Sequence, residues 1–198
     1  MNGPWTVEAL RALRGAIAIA KLDATAETHF NLSLAGFKHA FGALLLVLPA
    51  YLLMGRVGAT LAPPESQPVP ALLALTIDAV AFVVRWFGFV GVMVPLAMAL
   101  KAQATYVRFV IFWSWASVLQ VMLLLTAATL YASGVLSAGL AGGVLLIAYV
   151  AAFFYAFLVA RDGLRCSIAA AIVVVLFEVV LNILIDRGVD ALLQGPQP

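Results

Sequence analysis

Apolar residues fill this chain in long blocks parted by short polar stretches, and the pattern changes character after residue 30. Before it, Leu10, Leu13, Ile17 and Ala20 recur at helical spacing as one stripe, with Glu8 and Arg11 facing away and Arg14 and Lys21 on its flanks. Proline near the start and Thr6 as a cap predict a helix from Pro4 to Leu22. Such a helix lies in a membrane interface with Trp5 at headgroup level, or packs on the cytoplasmic ends of a bundle. A polar connector, Asp23 to Phe30, follows.

After it come runs long enough to cross a bilayer. The first, Leu34 to Met54, opens after Ser33, should kink at Pro49 and ends at Arg56. The stretch 58–70 holds four prolines and reads as a loop. The second, Ala71 to Lys101, would measure about 45 Å as one helix against a hydrocarbon core of about 30 Å. It must tilt, protrude, or break near Gly88, Gly91 and Pro95. A third run, Tyr106 to Tyr131, begins as an aromatic belt with Arg108 able to snorkel. The fourth, Leu140 to Val159, is preceded by Gly139, which with Gly143 suggests a small-residue contact face. The fifth, Ser167 to Ile185, carries Glu178 and Asn182.

The expected fold is therefore all-α: a polytopic membrane bundle of five transmembrane helices plus an N-terminal amphipathic interfacial helix. Residues 1–30 form the helix and connector, 31–190 the bundle and 191–198 a polar tail. Composition agrees. The chain is 65% hydrophobic and only 10% charged, against about 25% charged in an average soluble domain. No cleavable signal peptide is expected, because Glu8, Arg11 and Arg14 interrupt the first apolar run. The net charge of +2 calls for no nucleic acid, since the basic residues flank apolar spans. With the N-terminus in the cytoplasm, eight of the eleven basic residues fall on the inner side. Arg56 and Arg187 fall outside and Arg85 within the membrane. That asymmetry predicts N inside and C outside.

Polar residues inside the spans are the candidate site. Arg85, Gln120 and Glu178 each lie about 12 residues from the cytoplasmic end of their spans, a common depth of roughly 18 Å. Asp78 shares a helix face with Arg85, and Asn182 one with Glu178. The expectation is an Arg85–Glu178 pair, with Gln120 and Asn182 taking up spare hydrogen bonds. Two readings stand. The set is either a polar clamp between helices or a track for a proton, an ion or a lipid headgroup.

Other groups are weaker signals. Asp23, Glu27 and His29 lack a fourth ligand at metal spacing, so no metal is expected, and no cofactor motif is present. Cys166 is a lone thiol that forms no internal disulfide, and reads as an inert residue at a helix start. Asn31 and Ser33 match a glycosylation sequon on the cytoplasmic side. Trp86, Phe87 and Phe89 read as packing or lipid-facing rings, with Trp86 a candidate to lie over a cation. No catalytic triad, phosphate loop or nucleotide fingerprint occurs, and a constellation around Asp23, His29 and His39 is the least favoured reading.

Ala18-Ile-Ala-Lys21, Phe30, Gly36-Phe37, Phe41 and Pro49-Ala-Tyr51, with the five-span layout, resemble the Yip (Rab-GTPase-interacting) membrane family and a group of uncharacterised bacterial inner-membrane proteins. The resemblance implies membrane shaping or traffic without enzymatic chemistry, and carries over no functional residue. The expected function is a non-enzymatic membrane-organising protein or accessory subunit; the alternative is a small transporter or channel using Asp78, Arg85 and Glu178. Its expected partners are the bilayer and either another membrane protein or a second copy of this chain.

Overall fold

The computed structural model describes residues 5–59 and 70–194. Seven α-helices account for nearly all of them: α1 (Trp5–Ala20), α2 (Leu34–Ala40), α3 (Leu44–Ala59), α4 (Ala71–Ala99), α5 (Tyr106–Ala132), α6 (Ala138–Leu164) and α7 (Ile168–Gln194). There is no strand among the described residues. Among the described residues five stretches are long and apolar enough to cross a membrane, α2 and α3 together forming the first. The chain is thus a multi-pass membrane protein built as a helical bundle.

Local signals account for several boundaries. The Ser33 hydroxyl accepts from Gly36 N (3.2 Å) and caps α2. The first span is interrupted at Phe41–Ala43, a 3₁₀ turn, and not at Pro49, through which α3 runs on to Ala59. At that turn Gly42 receives the Trp5 indole; a Cβ there would lie 2.6 Å from the ring. α4 is one unbroken helix of 29 residues across Gly88, Gly91 and Pro95, about 43 Å long and so longer than the hydrocarbon core. The expected proline-rich loop falls mostly on 60–69, outside the described residues; so do Pro4 and the last four residues of the expected tail, whose first part continues α7.

α5 is the axis of the bundle. It packs against α1, α2, α3, α4 and α6, whereas α7 leans on α6 and α4 from outside. Along its apolar stretch 61% of α5 is buried, against 11% for α7. Every residue from 108 to 116 is buried. The aromatic stretch expected as an interfacial belt is therefore the core. Phe112 packs on Phe30 (centroids 4.3 Å apart), Trp113 on Trp86 (4.6 Å) and Phe89 (4.8 Å), and Trp115 near Trp5 (6.4 Å). Lipid tails offer no hydrophobic drive for helices to associate, so dense ring contacts of about 0.5–1.5 kcal/mol each hold them together.

Two other expectations change. Gly139 and Gly143 make no close helix contact, since a Cβ added at either would meet nothing within 4 Å. The α5–α6 seam instead has Gln120 bonded to the Ala152 carbonyl and Gly163 held against Phe109. Trp5, expected at headgroup level, is drawn inward beside Trp115. In α1 one face packs on the bundle and the other is exposed. Ala9, Ala12, Ala16 and Ile19 are buried, while Leu10 and Ile17 of the expected stripe turn outward.

Candidate functional site

Arg85 does meet an acid on α7, but the acid is Asp186 and not Glu178. Its other terminal nitrogen donates to Tyr51 Oη (2.8 Å), and the guanidinium lies 5.7 Å from that ring's centre. Helix direction explains the exchange. Side chains lean toward the N-terminus of their own helix. α4 and α7 run in opposite senses, so Arg85 leans away from the α1 end while the α7 acids lean toward it. Arg85 therefore reaches an acid two turns beyond Glu178. Glu178, leaning the other way, accepts from Trp113 Nε1 (2.9 Å). Equal backbone depth is not equal side-chain depth.

The expected set nonetheless converges. Arg85, Gln120, Glu178 and Asn182 all line one cavity of about 280 Å³, to which all five spans contribute. Gln120 donates to the Ala152 carbonyl (3.1 Å), bridging α5 to α6 and contacting neither charge. Asn182 faces the cavity beside Glu178 and makes no hydrogen bond among the described residues. Arg85 Nε and Trp86 Nε1 are buried donors without a partner there, both on residues lining the same space. Trp86 lies among Phe82 and Trp113. The cations found over rings are instead Arg85 at Tyr51 and Arg108 at Phe112.

Asp78 is not in this cavity. It lines a second one of about 300 Å³, nearer the loop end of α4. The two spaces adjoin, sharing Tyr51, Met54, Leu124 and Tyr149. Asp186 and the tyrosines are the members that residue spacing missed. Asp186 sits at the end of the fifth span, where an acid reads as a solvated terminus.

A charged junction at the α1 end was also missed. Arg108, expected to snorkel, is buried over Phe112 (4.9 Å) and pairs with Glu27 (3.2 Å) and Asp162 (3.3 Å). Arg165 binds the same Glu27 oxygen (2.9 Å). Glu27 is thus committed to arginines and Asp23 to Thr25 (2.8 Å), away from any metal set with His29. His39 pairs with Glu8 (2.8 Å), whose other oxygen accepts from Asn31 of the sequon (3.1 Å). No group of three metal-ligating side chains occurs among the described residues. Burial pushes the Cys166 thiol up, as befits an inert residue.

No family model, no curated protein and no solved structure matches the chain.

Proposed function

We propose that this chain is a non-enzymatic carrier that admits a proton-linked solute to the cavity at the centre of its bundle. The observation that carries the reading is the cavity itself. A bundle needing only to hold together fills its middle with side chains at near-crystalline density. Here all five spans surround open space, and a carboxyl, a guanidinium, two amides and two unpartnered donors border it. Native proteins leave few such donors unsatisfied unless a water or a ligand serves them. Among the described residues Glu178 has one hydrogen-bond donor and no cation beside it, so its proton can be exchanged with a passing solute. The setting we propose is a bacterial inner membrane with the N-terminus inside, in keeping with the distribution of basic residues.

Proteoliposomes holding a pH-sensitive dye, driven by a potassium diffusion potential, test this. Proton flux above that of protein-free vesicles, lost in Glu178→Gln with thermal unfolding unchanged, is the expected result. Flux equal to empty vesicles, or indifferent to Glu178→Gln, overturns it.

A second reading, bilayer organisation of the kind the Yip resemblance implies, is favoured by the outer face of α1. There Val7, Leu10 and Ile17 are exposed alongside Arg14 and Lys21, a mixture of apolar and basic side chains suited to a helix seated among headgroups. Its test is whether Leu10→Glu with Ile17→Glu abolishes remodelling of anionic vesicles.

A further inference from the structure

Six of the seven acidic side chains described have a partner. Glu8 has His39 and Asn31, Asp23 has Thr25, Glu27 has two arginines, Asp162 has Arg108, Glu178 has Trp113 and Asp186 has Arg85. Asp78 has neither a hydrogen bond nor an ion pair among the described residues. It borders the second cavity, where Tyr51, Tyr131 and Tyr149 are the other polar side chains and no described lysine or arginine contributes to the wall. Gly55 and Gly58, one turn apart on α3, leave that wall open; a Cβ at either would meet nothing within 4 Å.

From this we infer that the outer cavity binds an organic cation with an apolar body, Asp78 supplying the counter-charge and Tyr131 and Tyr149 the rings, the Tyr51 ring being already taken by Arg85 and Phe82. An unpaired carboxylate inside a membrane protein is costly unless a charge or a proton meets it. Rings attract cations through their faces, and most strongly cations that shed water readily. A magnesium or calcium ion demands six or more oxygens, which one carboxylate and three phenols do not supply. A quaternary ammonium asks for one negative charge and a ring-lined, mainly apolar space, which is what this cavity provides. The inference assigns a ligand class to the carrier reading and rests on it only for what happens to the cation after binding.

The test is equilibrium dialysis of radiolabelled benzyltrimethylammonium against the full chain in mild detergent. Saturable binding is expected, weakened at least tenfold by Asp78→Asn and severalfold by Tyr131→Leu, with Tyr131→Phe retaining it. Since Asp78 holds nothing in place, Asp78→Asn should unfold at the parent temperature. If it does not, Asp78→Ser serves instead, and the tyrosine pair decides independently. Neopentylbenzene, the neutral isostere, should compete poorly. Absence of saturable binding, unaltered binding in both the Asp78 and Tyr131→Leu variants, or equal competition by the neutral isostere overturns the inference. Glu178→Gln, which ends proton flux under the carrier reading, should leave cation binding intact. Binding without flux would therefore sink the carrier and spare this site, and flux without binding the reverse.

Discussion

Two arginines are drawn into this bundle, and their surroundings differ in kind. Arg108 retains 8% of its exposure, lies on the Phe112 ring, and is tied to Glu27 and Asp162 from two other segments. From Arg108 to Ala116 every residue of α5 is buried. Arg85 is tied to Asp186, whose side chain is 60% exposed, and to Tyr51, and it borders open space. Both border open space, Arg108 a cavity of about 480 Å³ at the α1 end and Arg85 the one of about 280 Å³ among the five spans. A buried charge beside a cavity therefore does not by itself mark a functional path. What separates the two is the company: Arg108 is held by two acids beside the connector, whereas the space at Arg85 is walled by every span and holds a carboxyl, Glu178, with no described cation on it.

The sharpest way to break that contrast is to remove each cation. Arg108→Leu should destabilise the protein by about 2 kcal/mol, since it removes a buried side chain from the Phe112 ring, frees Asp162 and loosens the connector from α5, although Arg165 still holds Glu27. Arg85→Leu should cost only about 1 kcal/mol, because Asp186 rehydrates readily. Thermal unfolding in one detergent compares them, and the reverse order would undo the distinction. Smaller in effect is a test of packing alone. Gly163→Ala puts a Cβ 3.0 Å from Phe109 Cα near the Arg108 junction and should cost about 1–2 kcal/mol. Gly143→Ala meets nothing within 4 Å and should stay within about 0.5 kcal/mol. Equal losses would mean the α5–α6 seam lies elsewhere. The smallest effect concerns partner choice. A double-mutant cycle of Arg85→Leu with Asp186→Leu should give a coupling of about 0.5 kcal/mol, modest because the acid is largely exposed. The cycle with Glu178→Leu should give none. Coupling to Glu178 instead would restore the pairing expected from depth.

How much of this was legible differs by level. Ser33 as a cap, the five spans and the outward stripe of α1 all follow from local pattern. Arg85, Gln120, Glu178 and Asn182 were legible as a group because polar residues at common depth in lipid must turn inward. Their pairing was not, because depth counted along the backbone ignores the direction in which each side chain leans. Phe109, Phe112 and Trp115 carried no sign of being core rather than belt, since the same residues serve both settings. Nor did Asp186 and Arg108, at the ends of their spans, differ by pattern from ordinary flanking charges.

Run length and the scarcity of charge dictated a bundle of five apolar helices, because a bilayer admits little else whose backbone is satisfied. Which helix became the axis, which acid each arginine met, and where the middle was left empty depended on how seven rods of nearly uniform apolarity came to lie together. That choice turns on shape and side-chain direction, which a hydropathy pattern does not encode.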